Sequence, residues 1–321
     1  MNTGHLWKNK MKAIRIHHYG DASVLSLDDV PTPVIGDDDV LIRVVAAGVN
    51  PVDWKIREGY LKDFIPHRLP LTLGWDVSGV VEAVGRNSRR LRVGDAVYSR
   101  PDIARDGSYA EYLAVRESEV ALRPTTISHV EAASLPLAGI TAWEAIVNVG
   151  QVTSGQSVLV HAAAGGVGSL AVQLAKWRGA EVIATTSARN ADLVTFLGAD
   201  EVIDYTREDF AERVRDVDLV FDTVGGKVQE ASWRALKPGG MLVSVVDPPA
   251  ETVAKSHGVR SAFIFIKPSA EILEQLAGLV DAGQVRPVIG AEFALKDAAA
   301  AHRLSQSGRA RGKIVLYAGM P

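Results

Sequence analysis

The chain has 321 residues and a formal net charge of −3, with 47% hydrophobic and 23% charged residues, which suits a globular protein with two separately packed domains. Cysteine is absent, so disulfides, thiol catalysis and thiolate metal sites are excluded. No basic run, signal-peptide segment or apolar run of membrane-spanning length occurs, so we expect no nucleic-acid or membrane partner and a cytoplasmic location.

The first part of the chain is rich in short β-strands. Residues 1–10 precede a second methionine, Met11, and are interpreted as a leader or an added extension. From Met11 to about residue 126, alternating or β-branched runs are separated by Gly, Pro and Asp turn signals. This pattern predicts a β-rich domain, a partly open barrel, with strands at Met11–His17, Val40–Ala46, Ser78–Val84, Ala96–Ser99 and Ala110–Val115.

Residues 127–266 change to strands that alternate with helical segments, which is typical of an α/β doubly wound parallel sheet. The predicted strands are Ser157–Val160, Glu181–Thr185, Glu201–Ile203, Leu219–Phe221, Met241–Val246 and Ala262–Ile266.

The tail, residues 267–321, predicts helices at Ala270–Ala282 and Lys296–Gln306 and a last strand at Lys313–Tyr317. Because that strand cannot extend a parallel sheet without another crossover, we expect it to return to the first domain. That domain then comprises residues 11–126 and 267–321, with residues 127–266 inserted. The active site is expected in the cleft between the two domains.

An apolar strand, Val158–Val160, leads into a glycine-rich turn and then a helix with apolar residues at helical spacing. Unpaired backbone N–H groups and the positive end of the helix dipole bind a pyrophosphate at such a turn. Gly165 lets the backbone approach that group and Gly168 lets the helix pack close to the strand, while Ala163 replaces the first glycine of the usual pattern. The sequence predicts a dinucleotide site, with a merely connecting turn as the alternative. The predicted turn residues in contact with the cofactor are Ala164, Gly165, Gly166 and Val167.

The end of the second α/β strand indicates which dinucleotide binds. An NAD-specific site places an acidic residue there, on the ribose 2′-hydroxyl. Here the strand is followed by Thr186, Ser187 and Arg189. A guanidinium and two hydroxyls suit a 2′-phosphate, so we expect NADPH. The alternative is that Arg189 caps or solvates the next helix.

Five ordered blocks occur along the chain from Met11 onward: Ala47–Asp53, Asp76–Gly85, Gly107–Tyr112, Leu137–Trp143 and Ala162–Gly168. Together they resemble the medium-chain dehydrogenase/reductase superfamily, and within it the zinc-independent quinone oxidoreductase branch, which includes enone and alkenal reductases. The resemblance implies a GroES-like catalytic domain, a Rossmann domain, NADPH as cofactor and hydride transfer to an electron-poor carbon.

Zinc-containing members of this superfamily carry a cysteine in the loop that matches Gly48–Asp53 and a histidine after the glycine that matches Gly74. Here Trp75 and Asp76 follow Gly74, and the loop has no cysteine. His67 is the only histidine near the loop in sequence, and a lone histidine is more often a surface or capping residue than a ligand. We therefore expect no metal, and an acceptor that is already electrophilic.

Three side chains are candidates for the catalytic part of the site. The amide of Asn50 can hold a substrate oxygen or the cofactor ribose, and an Asx-turn before Pro51 is a compatible alternative. Asp53 is a candidate acid if burial raises its pKa, with a structural pairing to a residue such as Arg57 as the alternative. Tyr60 is a third candidate proton source, for which aromatic packing is the alternative.

The resemblance also implies cofactor contacts elsewhere. Thr141 should meet the nicotinamide end, and Tyr205 should lie near the adenosine 2′-phosphate. Val224, Val246 and Phe265 are expected to end strands at the carboxyl edge of the sheet, where ligands bind, with core packing as the alternative for the valines. His161, beside the turn, is interpreted as structural.

We expect an oxidoreductase that transfers a hydride from NADPH to a quinone or an α,β-unsaturated carbonyl. One alternative is a reductase dedicated to a biosynthetic enoyl intermediate, and another is an NADPH-binding regulatory or structural protein with little turnover. The expected edge strand Ala262–Ile266 is apolar on both faces, so we also expect a homodimer paired along that edge.

Overall fold

The computed structural model describes residues 10–318. The described chain divides into two compact units: the first contains the described parts of Met1–Leu137, Pro268–Asp281 and Ile289–Pro321, and the second contains Ala138–Lys267 and Ala282–Val288. The predicted division differs in that it assigns residues 127–137 to the inserted domain and residues 267 and 282–288 to the first. Residues 1–9 of the expected leader lie outside the described residues, whereas Lys10 already belongs to the first strand.

The sixteen strands and ten α-helices of residues 10–318 are numbered in chain order. The strands are β1 (Lys10–Ile16), β2 (Leu25–Pro31), β3 (Asp39–Val49), β4 (Leu71–Thr72), β5 (Val77–Val84), β6 (Ala96–Ser99), β7 (Tyr112–Arg116), β8 (Val120–Leu122), β9 (Ser157–Val160), β10 (Glu181–Thr186), β11 (Glu201–Asp204), β12 (Val217–Asp222), β13 (Leu236–Ser244), β14 (Arg260–Phe263), β15 (Ile289–Ala294) and β16 (Lys313–Tyr317).

The helices are α1 (Pro51–Arg57), α2 (His129–Ala133), α3 (Pro136–Trp143), α4 (Gly166–Trp177), α5 (Ala191–Phe196), α6 (Phe210–Arg213), α7 (Gly226–Ser232), α8 (Glu251–Ser256), α9 (Ala270–Asp281) and α10 (Ala298–Gln306). A π-helical segment, Glu144–Val149, follows α3. Short 3-10 turns occur at Ala22–Val24, Glu117–Glu119, Ala188–Asn190, Trp233–Ala235 and Leu295–Asp297. Within residues 10–318, none of these helices is long and apolar enough to cross a membrane.

A seven-stranded sheet is the centre of the first unit. Its strands lie in the order β15-β16-β3-β5-β6-β8, and β7 also pairs with β3. A second sheet of three strands has the order β2-β1-β4. The eleven-residue β3 is rich in valine and alanine, and it is mostly buried because it pairs with β5, β7 and β16 along its length. This set of strands agrees with the expected GroES-like β domain.

The last strand joins this sheet. β16 pairs antiparallel with β3, with Ile314 opposite Val49, which is the return that its sequence position predicts. The adjacent strand β15 pairs parallel with β16 and was not predicted. The core below these strands therefore combines distant parts of the chain, among them Ile16, Val49, Ile56, Trp75, Tyr109, Ala301 and Leu316.

The second unit contains the predicted parallel sheet. Its six strands lie in the order β11-β10-β9-β12-β13-β14, and every neighbouring pair is parallel. This is the doubly wound order in which the connections reverse direction between the first and fourth strands, here β9 and β12. Ligands of such sheets bind at the carboxyl ends of the strands near that reversal. The glycine-rich turn follows β9 and thus lies at this position.

Strand bounds agree best where an apolar run is clearly bounded. The predictions for β6, β9 and β16 match the observed bounds. Two predictions extend two or more residues beyond the carboxyl end of the strand: β13 ends at Ser244 and β14 at Phe263, because their ladder partners end there although the apolar sequence continues. The short or partly exposed strands β2, β4 and β8 were not predicted.

The packing of α4 against the end of β9 depends on Gly168. A Cβ at this position would lie 2.4 Å from the carbonyl oxygen of Ala162 and 2.9 Å from the Cα of Ala163. Backbone atoms cannot move aside as a flexible side chain can, so any side chain here displaces the helix. Gly278, in α9, is also helical but has open space around its Cβ position.

These two helical glycines give a matched pair of substitutions. Gly168→Ala should destabilise the protein by about 1–3 kcal/mol, because it forces a backbone shift in a packed region. Gly278→Ala should stabilise it by up to about 1 kcal/mol, because alanine has the higher helix propensity. Urea denaturation of both variants measures the two effects. An unchanged free energy of unfolding for Gly168→Ala would show that α4 does not need this close approach.

Candidate functional site

The turn between β9 and α4 is held by main-chain hydrogen bonds. Ala162 adopts a φ of +48°, which is uncommon for a residue other than glycine. Its carbonyl oxygen accepts from the N–H of Gly165 at 2.9 Å, and the N–H of Ala163 donates to Thr185 O at 3.0 Å. The left-handed residue of the turn is thus Ala162, one residue before the predicted glycine replacement at Ala163.

This turn presents the N-terminus of a twelve-residue helix. Gly165 is the N-cap residue and has no side chain that could accept from the first-turn amides. Gly165, Gly166 and Val167 are partly exposed, whereas Ala164 is buried. Open amides and the helix dipole together fit a phosphate group, so the residues present are suited to the pyrophosphate of a dinucleotide.

His161 is structural in this arrangement. The residue is 1% exposed, its Nδ1 lies 3.0 Å from Thr185 Oγ1, and its Nε2 lies 2.9 Å from Ser232 Oγ. Burial lowers the pKa of His161 to about 4, so the ring is neutral at physiological pH. It links β9 to β10 and α7 beneath the turn.

The ends of β10 and β11 bring the predicted 2′-phosphate residues together. The N–H of Tyr205 donates to Thr186 O at 3.2 Å. Tyr205 and Arg189 are exposed, Ser187 is partly exposed and Thr186 is buried. The residues therefore lie at one corner of the sheet edge.

Asp204 is a carboxylate at this corner that the sequence analysis missed. It ends β11 in register with Thr186. Its Oδ1 accepts from the backbone N–H and the hydroxyl of Thr206 at 3.1 and 2.8 Å, and its Oδ2 lies 3.6 Å from Arg207 Nε. The Thr206 hydrogen bonds hold the pKa of Asp204 below its usual value. The carboxylate is thus engaged locally.

Val224, Val246 and Phe265 each lie two residues beyond a strand, in loops at the carboxyl edge, and do not end the strands as predicted. Val224 and Phe265 are exposed and Val246 is partly exposed, so these side chains are not core residues. The buried carboxylate of Asp222 shapes the first of these loops, because its Oδ1 accepts from the backbone N–H groups of Val224 and Gly225 at 2.9 and 2.8 Å. Thr141 lies in α3 and is 5% exposed.

Asn50 begins α1 in the first unit and is 2% exposed. Its amide nitrogen donates to Asp76 Oδ2 at 2.8 Å, and the ammonium of Lys313 donates to its amide oxygen. Lys313 also donates to Asp76 Oδ2 at 3.0 Å. These three side chains form a closed buried cluster. The backbone N–H of Asn50 donates to Asp53 Oδ2 at 2.8 Å, so the chain holds Asn50 at both its side chain and its backbone.

Asp53 is fully buried. Its Oδ2 accepts from the Tyr109 hydroxyl at 2.7 Å as well as from Asn50, whereas Oδ1 has no hydrogen-bond partner in the described part of the chain. Burial raises the pKa of Asp53 to about 7, against the opposing effect of these hydrogen bonds. A carboxyl group with this pKa changes its protonation state near neutral pH.

Arg57, the structural partner of Asp53 in the alternative interpretation, makes other contacts. Arg57 donates to His302 Nδ1 at 3.1 Å and pairs with Glu58 at 2.5 Å, and it does not bond to Asp53. Since Nδ1 accepts, the Nε2 of His302 carries the hydrogen and donates to the Tyr109 hydroxyl at 3.3 Å. Burial lowers the pKa of His302 to about 3, so the ring stays neutral. A directed series of hydrogen bonds thus runs from Arg57 to Asp53.

Tyr60 lies apart from this cluster. It is 64% exposed, and its ring meets Trp54 edge-on at a centroid distance of 6.0 Å. A hydrogen bond to Glu58 raises the pKa of its hydroxyl. The structure therefore supports aromatic packing for Tyr60 and also leaves the side chain accessible.

The residues at the expected zinc positions do not fit a metal site. Trp75 is buried, and its indole N–H donates to Arg105 O at 3.2 Å. His67 lies beside it at a ring distance of 5.9 Å, with Nε2 at 2.8 Å from Ile103 O. Across residues 10–318, no three His, Asp or Glu side chains are grouped so that they could hold a metal, and the sequence offers no cysteine.

Four residues that hydrogen bond to Asn50 or Asp53, directly or through one neighbour, were not singled out as functional residues from the sequence. The available signal was a charged or polar residue at the edge of an apolar run, since Asp76 precedes the apolar strand β5 and Lys313 begins the apolar strand β16. Which partners such residues find depends on the fold. The four residues are Asp76, Tyr109, His302 and Lys313.

Two family models match the chain. Residues 36–125 match the alcohol dehydrogenase GroES-like domain, and residues 197–316 match the model described as zinc-binding dehydrogenase. The second description mentions a metal for which the described side chains provide no ligand set.

Individual relatives match nearly the whole chain. A 2-methylene-furan-3-one reductase of Solanum lycopersicum is 40% identical, over 96% of this chain and 79% of that protein. An NADPH-dependent alkenal/one oxidoreductase of Arabidopsis thaliana, named as chloroplastic, is 38% identical, over 96% of this chain and 80% of that protein. The solved structure of the quinone oxidoreductase from Coxiella burnetii has a TM-score of 0.90 at 38% identity, covering 97% of this chain and 100% of that one. The chain belongs to the medium-chain dehydrogenase/reductase superfamily, together with its quinone and enone oxidoreductases.

Proposed function

We propose that this protein is an NADPH-dependent oxidoreductase that transfers a hydride to a quinone or an α,β-unsaturated carbonyl without a metal. The observation that carries this proposal is the combination of a dinucleotide turn at α4 with a Gly48–Asp53 loop that has no cysteine and with Trp75 in place of a histidine after Gly74. Relatives that share 38–40% identity over nearly the whole chain are named for reduction of this class of acceptor.

NADPH supplies the hydride when it is bound. We assign its pyrophosphate to the turn at Gly165, with the amides of Gly166 and Val167 as donors, and its 2′-phosphate to the corner that contains Arg189 and Tyr205. The remaining proposed contacts are Thr141, Ala164, Thr186, Ser187, Val224, Val246 and Phe265.

A quinone or enone delocalises the negative charge that hydride addition creates, so the protein needs to provide only orientation and a hydrogen-bond donor. We assign the donor role to the carboxamide of Asn50. Tyr60, whose hydroxyl is accessible, is the proposed proton source. We propose that Asp53 holds the Asn50 backbone, since its side chain is fully buried and its Oδ2 is already hydrogen bonded.

A homodimer is proposed along the free edge of β14, which pairs only with β13 within the described chain. Phe263 and Phe265 are 41% and 57% exposed there, and an uncovered apolar edge favours pairing with a second copy. Light scattering at micromolar concentration should give the dimer mass, and a monomer mass would refute the pairing. The cytoplasmic location also stays a prediction, and the Arabidopsis relative is named as chloroplastic.

The function is tested by NADPH oxidation against a panel of quinones, enones and saturated aldehydes. We expect turnover with the first two classes, none with saturated aldehydes, and the same rates after prolonged dialysis against a strong chelator, because no metal polarises the acceptor. Binding of NADPH without turnover of any acceptor would favour the regulatory alternative. Loss of activity on chelation, with recovery on adding zinc, would overturn the metal-free mechanism.

The cofactor assignment predicts that Arg189→Ala weakens NADPH binding and leaves NADH binding nearly unchanged. A charge-assisted hydrogen bond is worth roughly 1.5–3 kcal/mol, so the NADPH dissociation constant should rise about ten- to a hundredfold. Arg213→Ala is the control, because Arg213 pairs with Glu201 at the opposite end of β11. Titration calorimetry with both cofactors measures the change, and equal losses for NADPH and NADH would rule out a phosphate contact.

The raised pKa of Asp53 predicts a specific pH dependence of stability. With a folded pKa of about 7 and an ordinary value of 3.8, the folded state holds this proton more tightly than the unfolded chain. Stability from this group is therefore full below about pH 4 and is lost as pH rises to about 7, a change of the order of a few kcal/mol.

Asp53→Asn should abolish this pH dependence of stability while keeping the shape of the pH–rate profile. Asp63 is exposed, so Asp63→Asn should change neither property. Denaturant unfolding between pH 4 and 8 gives the first quantity and single-turnover kinetics give the second. If Asp53→Asn instead removes one limb of the pH–rate profile, Asp53 is a general acid and its structural assignment fails.

A further inference from the structure

The carboxamide of Asn50 has its orientation fixed by two charged neighbours. The ammonium of Lys313 can only donate, so the atom that faces it is the amide oxygen. The carboxylate of Asp76 can only accept, so the atom that faces it, at 2.8 Å, is the amide nitrogen. The two neighbours require the same orientation of the carboxamide. The reverse orientation would place its N–H groups against the ammonium and its oxygen against the carboxylate.

We propose that Lys313 is a positioning residue for hydride transfer, one that fixes the Asn50 carboxamide so that it offers an N–H, and not a carbonyl oxygen, to the acceptor. This inference rests on the proposed donor role of Asn50. The amide nitrogen carries two hydrogens, and its hydrogen bond to a described residue, Asp76, uses one of them. We assign the other hydrogen to the acceptor.

The buried position of Lys313 supports a role that depends on charge. Its side chain is 6% exposed and that of Asp76 is fully buried, so water does not screen the pair. An ammonium at the amide oxygen also polarises the carboxamide and makes its N–H groups better donors. A neutral side chain of the same length would fill the space without fixing or polarising the amide.

The first experiment compares single-turnover hydride transfer to 1,4-naphthoquinone at saturating NADPH. Asn50→Ala should slow transfer by roughly 10- to 100-fold, somewhat less than the loss of a donor to a localised oxyanion. Lys313→Met should slow it by a similar factor and leave the NADPH dissociation constant within about threefold, because only the donor is disturbed. Lys313→Met with Asn50→Ala should be no slower than Asn50→Ala alone, because one residue acts through the other.

A second variant separates positioning from folding. Lys313→Met alone leaves the Asp76 carboxylate buried without its cation, which destabilises the protein. Lys313→Met combined with Asp76→Asn removes both charges and should recover stability, yet it should stay slow, because an amide at position 76 can donate or accept and no longer selects one orientation. Ser108→Ala removes a 2.7 Å hydrogen bond to the Asp76 backbone oxygen, and as a control it should cost stability and keep the rate.

The outcomes separate the role of Lys313 from the donor role of Asn50. If Asn50→Ala is slow but Lys313→Met combined with Asp76→Asn transfers hydride at the wild-type rate, the role of Lys313 is overturned and that of Asn50 is kept. The same holds if the rate losses of Lys313→Met and Asn50→Ala multiply when the two are combined. An Asn50→Ala protein that transfers hydride at the wild-type rate from bound NADPH would overturn the donor role of Asn50 and with it the inference. Slow transfer in the stable charge-free variant, with NADPH affinity retained, supports it.

Discussion

The first-unit site depends on the contacts that the buried carboxylate of Asp76 makes with Asn50, Lys313 and the backbone. Its Oδ2 accepts from Asn50 and Lys313, and its Oδ1 accepts from the backbone N–H of Leu137 at 2.6 Å. A charge with no exposed surface is tolerated only when such partners replace water. The backbone must also come close, since a Cβ on Gly48 would lie 2.8 Å from Asp76 Oδ2. This one residue thus ties together β3, β5, β16 and the starts of α1 and α3.

Under the proposed donor role of Asn50, the same cluster replaces a metal in hydride transfer. In zinc-containing relatives of the superfamily, a metal polarises the acceptor oxygen; here Asn50 occupies the matching loop and hydrogen bonds to a lysine and an aspartate. A carboxamide is a weak electrophile compared with a metal ion, so it suits acceptors that stabilise negative charge themselves. The proposed carboxamide donor therefore favours quinones and enones as acceptors.

Local sequence signals predicted the parts of the structure that depend on local physics. The bounds of β9 and β16 follow from apolar runs next to turn residues, and the need for Gly168 follows from the approach of helix to strand. The predictions failed where partners are distant: Lys313 and Asn50 are 263 residues apart, and no local pattern pairs them. β15 was missed because glycine and glutamate interrupt its apolar residues, and its strand conformation depends on pairing with β16.

The central claim, metal-free hydride transfer from NADPH to a conjugated carbon, is tested most directly by isotope transfer. The protein, stripped of metal by chelation, is given NADPH deuterated at the nicotinamide C4 position and an α,β-unsaturated ketone, and the product is analysed by NMR. The account predicts deuterium at the β-carbon of a saturated ketone, because the conjugated system takes up the charge as an enolate. Deuterium at the carbonyl carbon of an allylic alcohol would contradict it, since such a product requires direct polarisation of the carbonyl.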